Sequence, residues 1–344
     1  MKKILTAILS ALLMVTALFS IGCGGEEQSK DKLSLYVPDG APALSVARLL
    51  NDKELVADVD INVVGASTIQ TFVTGESPKA DLAIMPVNAA VKMLASKGEY
   101  KLVGTVTNGN IFIMKKATGQ NITADNLSEL IGKKVGVMNL ANVPGLTFKA
   151  ILSDRQIGYV DITESGAVQS DKVNLVALPT GQEGAQLIVP SSDCDYFVAA
   201  EPLATTKQNA TQGKISIAGS LQALYGDGNG YPQAVLVVKT SVLENNNDTV
   251  KALINSFDEN VEWLTSEQTA SQTIVDAVKS GFVDSEMSAT FTANNLNISV
   301  INNCAIDFTP ASECKGAVKG YIAKLNAITS NAWGNPVDEF FYTV

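Results

Sequence analysis

The loop after the first predicted strand carries residues well suited to hold a ligand. Residues 33–37 are a short, largely apolar run typical of a buried strand, and Asp39-Gly40-Ala41-Pro42 follows it as a tight turn. Over residues 43–50 apolar side chains recur at helical spacing, and Pro42 suits the first helical turn because an N–H there would be unpaired anyway. Such a loop offers unpaired N–H groups and a partial positive charge to a ligand at a helix N-terminus.

Most residue types needed for enzyme chemistry are absent. The chain has no histidine, which removes serine–histidine and cysteine–histidine catalysis and most zinc or iron sites. The spacing of the acidic residues indicates neither a catalytic carboxylate pair nor a calcium-binding loop. The two arginines, Arg48 and Arg155, lie within predicted helices, so a bidentate clamp for an α-carboxylate is not predicted. We therefore predict no enzyme activity and no catalytic, metal or cofactor site.

The strand–loop–helix arrangement occurs again later in the chain. Residues 134–152 have the same order, with Pro144-Gly145-Leu146 matching Pro42-Ala43-Leu44. Residues 81–90 and 195–204 form a second matched pair, each an acidic residue, an apolar strand, a turn and a helix. Alternating strands and helices build parallel sheets. Two copies in the same order predict an α/β fold with two similar lobes, although such joins occur in any α/β protein.

The elements place the candidate ligand residues at strand ends. In open α/β sheets ligands bind at the carboxyl ends of strands, which here are residues 39–42, 66–68 and 85–88. The β-rich run 102–114 is predicted to cross between lobes, and residues 231–233 to lead the return. Lobe 1 is therefore predicted to be residues 33–106 and 234–344, and lobe 2 residues 107–233. Helices are predicted in the remainder at residues 248–264, 266–280, 286–293 and 316–328.

The N-terminus predicts export. Two lysines precede an uncharged, mostly apolar run over residues 4–21 that ends in Gly22-Cys23. This pattern favours a signal peptide over residues 1–22, with an uncleaved anchor helix as the alternative. The Gly-Cys end resembles a bacterial lipobox, so Cys23 is predicted to be acylated, with residues 23–32 as a flexible, polar tether. We expect an extracytoplasmic protein that is lipid-anchored to the bacterial cell membrane.

The net charge limits the kinds of partner that the protein could bind, and the cysteines indicate a disulfide. The formal net charge of −10 disfavours nucleic acid, which calls for a basic patch, and binding to an anionic membrane except through the lipid. We expect a monomer. Cys304 and Cys314 lie in a polar stretch, and an exported chain favours a disulfide between them. Cys194 is then predicted to be a buried, inert thiol.

Four motifs together carry a family resemblance. They are residues 38–44 (PDGAPAL), 81–89 (DLAIMPVNA), 200–205 (AEPLAT) and 261–270 around Trp263. The chain resembles a type II periplasmic solute-binding protein of a bacterial ABC importer, in the group serving taurine, nitrate, alkanesulfonates and the thiamine pyrimidine. The ending over residues 336–342 is similar to the family's closing Pro-Asp-Asp-Phe-Tyr. The motifs span nearly all of the chain after the predicted signal peptide, and each alone is weak.

The resemblance implies a Venus-flytrap fold: two lobes, joined by two crossover strands, that close over a solute. It also implies delivery to a membrane permease driven by a cytoplasmic ATPase. By position it implies ligand contacts from twelve residues: Asp39, Gly40, Ala41, Pro42, Ser67, Thr68, Met85 and Asn88 in lobe 1, and Asn139, Val143, Thr180 and Glu201 in lobe 2. Each has a plainer alternative role in a turn, a cap or solvent.

The ligand class stays open between two hypotheses. A pyrimidine-like or other neutral heterocycle would suit Asp39, Asn88, Asn139 and Glu201, and this is the favoured hypothesis. A small oxyanion such as a sulfonate or nitrate would instead be held by helix N-termini. A signalling receptor on the same fold is a further alternative to import.

Overall fold

The computed structural model describes residues 32–343. The predicted signal peptide, Cys23 and the predicted tether up to residue 31 lie outside these residues. Within residues 32–343, no helix has both the length and the hydropathy needed to cross a bilayer.

Strands and helices alternate over most of the described chain. The strands are Leu33–Pro38 (β1), Val59–Val64 (β2), Leu82–Pro86 (β3), Tyr100–Thr107 (β4), Ile111–Lys116 (β5), Lys134–Met138 (β6), Tyr159–Ile162 (β7), Val173–Leu178 (β8), Tyr196–Ala200 (β9), Ile215–Ser220 (β10), Ala234–Lys239 (β11) and Ile306–Pro310 (β12). The helices are Ala41–Leu44 (α1), Ala47–Asn51 (α2), Val87–Leu94 (α3), Val143–Asp154 (α4), Gly181–Leu187 (α5), Leu203–Ala210 (α6), Leu221–Leu224 (α7), Thr240–Asn245 (α8), Asn247–Thr265 (α9), Ser271–Ser280 (α10), Ile298–Asn303 (α11) and Ala311–Ile328 (α12). Short 3₁₀ turns lie at Ile69–Phe72, Leu127–Leu130 and Asp338–Phe340.

The strands form two sheets of six, and five strands of each share one order: β4-β11-β3-β1-β2 in sheet 1 and β10-β5-β9-β6-β8 in sheet 2. Sheet 1 is β12-β4-β11-β3-β1-β2 and sheet 2 is β10-β5-β9-β6-β8-β7. In sheet 1, β2, β1 and β3 are parallel, and β11 is antiparallel between β3 and β4. In sheet 2, β8, β6 and β9 are parallel, and β5 is antiparallel between β9 and β10. Strands β5 and β11 each follow a crossover from the other sheet, which confirms the predicted two-lobed α/β fold with two crossover strands.

Equivalent aspartates join β3 to β1 in sheet 1 and β9 to β6 in sheet 2. Asp81 Oδ2 accepts the Ser34 backbone N–H at 3.0 Å, and Asp195 Oδ2 accepts the Lys134 backbone N–H at 2.9 Å. The acidic residues that marked the predicted repeat therefore make the same contact twice. Each uses a carboxylate to satisfy an N–H at the start of a buried strand.

The helix predicted over residues 43–50 is divided in two. Asn260 of α9 is 1% exposed, and its side chain occupies the break between α1 and α2. Its Oδ1 accepts the Arg48 N–H at 2.9 Å, and its Nδ2 donates to the Leu44 carbonyl at 3.0 Å. The side chain thus satisfies backbone groups that a continuous helix would have paired internally.

The long C-terminal helix α12 contacts both sheets. It packs on β4, and its Tyr321 hydroxyl lies 2.6 Å from Thr147 Oγ1 of α4. Lys324 of α12 forms an ion pair with Asp154 of α4. One apolar cluster contains buried residues of both sheets together with Tyr321. The two sheets are therefore packed around a shared core as well as joined by the chain.

Several predicted elements are corrected by the structure. Residues 286–293 form no helix, because Asp284 and Asn295 accept nearby backbone N–H groups of Glu286 and Thr292, which competes with helical hydrogen bonding. The predicted helix 266–280 begins only at Ser271, and the helix predicted from residue 316 already begins at Ala311. Strands β7, β10 and β12 were not predicted.

The predicted disulfide between Cys304 and Cys314 is not formed. Cys194, Cys304 and Cys314 are free, buried thiols. Cys304 follows α11 and lies in the apolar cluster with Phe257, whereas Cys314 lies in the other cluster with Tyr321. The two thiols therefore belong to separate parts of the core, and burial raises the pKa of Cys314 to about 11. Cys194 is buried and its thiol pKa is raised by burial, as expected of an inert thiol.

Candidate functional site

Two short crossover segments, residues 108–110 and 231–233, pair with each other between the sheets. Gln233 Nε2 donates to Asn110 Oδ1 at 2.8 Å, and the Tyr231 N–H donates to the Asn108 carbonyl at 3.2 Å. The same segments also bind the residues that follow β3 and β9. The Val87 N–H after β3 donates to the Gln233 carbonyl, and the Glu201 N–H after β9 donates to the Asn110 carbonyl, both at 3.0 Å. The crossover therefore brings the carboxyl ends of β3 and β9 to one place.

Three carboxylate or amide oxygens at the carboxyl edge of sheet 1 have no hydrogen-bond partner. They are the buried atoms Asp39 Oδ1, Asn88 Oδ1 and Gln233 Oε1. Asp39 follows β1, Asn88 follows β3 and Gln233 precedes β11, and these three strands are adjacent. Since neighbouring strands lie about 4.8 Å apart, the backbones that carry these groups span roughly 10 Å. Each buried, unpaired acceptor costs about 1–3 kcal/mol, which a donating ligand would recover.

Asp39 is held in place from one side. Its Oδ2 accepts the Thr290 backbone N–H at 2.7 Å. None of the ion pairs among residues 32–343 involves Asp39. Beside it, Gly40 has φ +104°, a conformation that glycine adopts without strain. Ala41 is buried and Pro42 is half-buried in the first turn of α1.

The other predicted residues of sheet 1 differ in exposure. Ser67 and Thr68 are exposed at the carboxyl end of β2, and Thr68 Oγ1 donates to the Gly65 carbonyl at 2.8 Å. Thr68 therefore serves the turn. Met85 is 0% exposed and packs in the apolar core. The structure thus places Asp39 and Asn88 together at the sheet edge but turns Met85 inward.

At the carboxyl edge of sheet 2, a cavity of about 680 Å³ contains two of the predicted residues. Asn139, which has φ +57° after β6, and Thr180, which follows β8, both line it. Asn142, which precedes α4, and Leu146 and Lys149 of α4 form one wall, and Ile328 and Thr329 at the end of α12 form another. Val143 is buried in the core and is not among the lining residues.

Glu201 is fully paired within the protein. It is 4% exposed, and its Oε1 accepts from Thr205 Oγ1 at 2.6 Å and Asn303 Nδ2 at 2.7 Å. Its Oε2 accepts the Thr205 N–H at 3.1 Å. The Asn303 contact joins the end of β9 to α11. The geometry therefore gives Glu201 a bracing role between the two sheets.

Gln233, Asn110 and Thr290 are site residues that sequence reasoning missed. The first two stand in short polar breaks next to strongly apolar strands, a signal that predicted the crossovers but not their side chains. Thr290 gave no usable signal, because its segment was predicted to be helical. Within residues 32–343, no group of three or more histidine, cysteine or acidic side chains is arranged to hold a metal ion.

Solved structures of binding proteins share this fold. An ABC transporter protein from Parabacteroides distasonis has a TM-score of 0.68 and 17% identity, covering 91% of this chain and 99% of its own. The periplasmic aliphatic sulphonate binding protein SsuA from Escherichia coli has a TM-score of 0.62 and 13% identity, covering 92% and 93%. The periplasmic nitrate-binding protein NrtA from Synechocystis PCC 6803 has a TM-score of 0.55 and 12% identity, covering 91% and 84%.

No family model matches the sequence, and no curated protein matches it. At these identities the likeness to solved structures shows the fold. The chain has the two-lobed fold of periplasmic solute-binding proteins of ABC transporters.

Proposed function

We propose that this protein is an extracytoplasmic solute-binding lipoprotein that captures a small polar organic solute and delivers it to an ABC permease and its ATPase. The shared fold, the lipobox-like sequence at Cys23 and the polar groups at both sheet edges support this role. The proposed lobes are residues 33–106 with 234–344, and residues 107–233. The paired crossover segments would serve as the hinge on which they close.

The proposed ligand is a nitrogen heterocycle of the pyrimidine type that presents N–H donors. The observation that carries this proposal is the set of three unpaired acceptors, Asp39 Oδ1, Asn88 Oδ1 and Gln233 Oε1. A sulfonate or nitrate offers only acceptor oxygens and would leave all three unsatisfied. From the other lobe, Asn139 and Thr180 would contact the ligand across the cleft.

An oxyanion is the second candidate, because of one feature of sheet 2. Asn142, the N-cap residue of the 12-residue helix α4, and Leu146 of that helix border the cavity there. Unpaired N–H groups at the start of such a helix favour an anion. The solved neighbours whose names state sulphonate and nitrate binding have the same overall fold.

A thermal-shift screen of the purified full-length protein tests these ligand classes. The ligands are pyrimidines and related rings, alkanesulfonates and nitrate, with isothermal titration of each positive. A ligand at a hundred times its Kd should stabilise the folded protein by about 2.7 kcal/mol. Shifts with rings alone would support the proposal. Shifts with sulfonate or nitrate alone would favour the oxyanion, and turnover of the bound solute would contradict a binding role.

A further inference from the structure

The segment between α10 and α11 is irregular but firmly attached to sheet 1. Its first residues are hydrogen-bonded to Val63 of β2. The Val63 N–H donates to the Gly281 carbonyl at 2.7 Å, and the Val63 carbonyl accepts the Val283 N–H at 3.1 Å. Farther along, Phe291 and Leu296 are buried in the core of sheet 1. The segment therefore has fixed points on both sides of Thr290.

A local turn fixes the backbone at Thr290 itself. Asn295 Oδ1 accepts the Thr292 N–H at 2.7 Å, and Asn295 Nδ2 approaches the Thr290 carbonyl at 3.4 Å. Thr290 then directs its own N–H to Asp39 Oδ2. One carboxylate oxygen is thus occupied by the protein, while Oδ1 stays buried and unpaired.

We infer that Thr290 is a positioning residue that presents Asp39 Oδ1 to the ligand, and that Asp39 selects a ligand carrying a positively charged nitrogen. This inference rests on the proposed function and deepens it. A half-buried carboxylate without an ion-pair partner favours a ligand that brings the opposite charge as well as an N–H donor. The single bond from Thr290 orients the carboxylate without neutralising it.

Two ring probes of nearly equal size separate charge from shape. 4-Aminopyridine is protonated at neutral pH, whereas 4-aminopyrimidine is neutral, and methanesulfonate serves as the oxyanion probe. We expect the full-length protein to bind 4-aminopyridine about tenfold more tightly than 4-aminopyrimidine by isothermal titration, as expected for a charge-assisted hydrogen bond. In Asp39→Asn, which keeps an acceptor for Thr290 but removes the charge, this preference should disappear.

Thr290→Pro removes the donated N–H, and Thr290→Ala, which keeps it, is the matched control. We expect the preference for the cation to fall in Thr290→Pro and to persist in Thr290→Ala. Should Thr290→Pro fail to fold, Asp39→Asn still decides whether the Asp39 carboxylate carries the preference for the cation. A preference that survives in Asp39→Asn, or that falls in Thr290→Ala, would overturn the inference.

The probes also distinguish failure of the inference from failure of the proposed function. Equal or tighter binding of neutral 4-aminopyrimidine would overturn the inference and leave the proposed function standing. Binding of methanesulfonate alone, or of no probe at all, would count against both the inference and the heterocycle proposal.

Discussion

At the residue scale, two buried side-chain amides of this protein differ in whether they form hydrogen bonds within the protein. Asn326 is fully used: its Nδ2 donates to the Gly334 carbonyl at 2.6 Å, and its Oδ1 accepts the Trp333 N–H at 3.0 Å. Asn88 is equally buried, with 5% of its surface exposed, but its Oδ1 has no partner. A side chain that gives the folded protein no hydrogen bond is better explained by a ligand than by stability.

Asn88→Ala should therefore separate ligand binding from folding. We expect affinity for a heterocyclic ligand found in the screen to fall about tenfold, because one ligand hydrogen bond is lost. The free energy of unfolding should change by less than about 1 kcal/mol. Asn326→Ala is the control: it should lose about 1–3 kcal/mol of stability and keep its affinity. The reverse pattern, measured by titration and urea unfolding, would remove Asn88 from the site.

Asp81 gives a pH dependence with a defined sign. Burial alone raises the pKa of its carboxyl group, but hydrogen bonds from Ser34 and the hydrogen-bonded ion pair with Lys239 outweigh it, so the pKa lies below its ordinary value of 3.8. A lowered pKa means that the carboxylate stabilises the folded state above pH 3.8 and that this contribution is lost as pH falls through the lower folded pKa.

Asp81→Asn should accordingly be less stable than the parent at neutral pH. We expect the difference in free energy of unfolding to shrink as the pH falls below 3.8, because the parent then loses its carboxylate too. Urea unfolding across acidic to neutral pH measures this directly. Two parallel stability curves would show that the ionised carboxylate contributes nothing.

At the element scale, the break between α1 and α2 depends on a distant helix. Asn260→Ala should cost about 1–3 kcal/mol in urea unfolding, because the Leu44 carbonyl and the Arg48 N–H lose buried partners. Asn255 lies on the exposed face of the same helix, so the control variant Asn255→Ala should change the free energy of unfolding by less than about 0.5 kcal/mol. Equal losses in both variants would mean that the effect belongs to α9 itself and not to the break.

The sequence predicted those strands well whose side chains are mostly apolar and buried. Strands β1, β3, β6, β8 and β9 are apolar runs that end at small or polar residues, so their positions along the chain could be predicted from the hydropathy pattern. The break after Leu44 could not be predicted, since the partner that compensates it is Asn260, more than two hundred positions away. Residues 286–293 have helical spacing, but side chains that bond to their own backbone prevent the helix.

The candidate site was predictable to a similar extent. Asp39 and Asn88 were found because polar residues that follow buried strands reach the carboxyl edge of a sheet. Met85 was misplaced because a strand alternates its side chains between faces, and the sequence did not show which face is filled. Glu201 was predicted as a ligand contact, but its partner Asn303 lies in another part of the chain. Pairing between distant residues is what the sequence could not reveal.

At the scale of the whole molecule, the C-terminal helix α12 holds the two sheets together through one buried pair. Tyr321 donates to Thr147 Oγ1, and Thr147 donates in turn to the Val143 carbonyl at 2.7 Å. Removing either hydroxyl breaks the same contact. The two substitutions differ in effect, because only the loss of the Thr147 hydroxyl leaves a buried polar group, the Tyr321 hydroxyl, without a hydrogen-bond partner.

Thr147→Val should destabilise the protein more than Tyr321→Phe does. The first leaves the Tyr321 hydroxyl buried without a partner, at a cost of about 1–3 kcal/mol, and the second costs about 0.5–1.5 kcal/mol because Thr147 keeps the Val143 carbonyl. The double variant should be no less stable than Thr147→Val, giving a clear coupling energy in a double-mutant cycle. Additive losses would show that the two hydroxyls act independently.

The strand order also dictates when each sheet can be completed during synthesis. All six strands of sheet 2 leave the ribosome in one uninterrupted stretch, β5 to β10, whereas β11 must insert between β3 and β4 long after both have emerged. Until then β3 and β4 present unpaired edges, which are prone to aggregation. Sheet 1, which carries the unpaired acceptors of the candidate site, is therefore the last to form. A chain cut short before residue 234 would contain every strand of sheet 2 but would lack β11 and β12 of sheet 1.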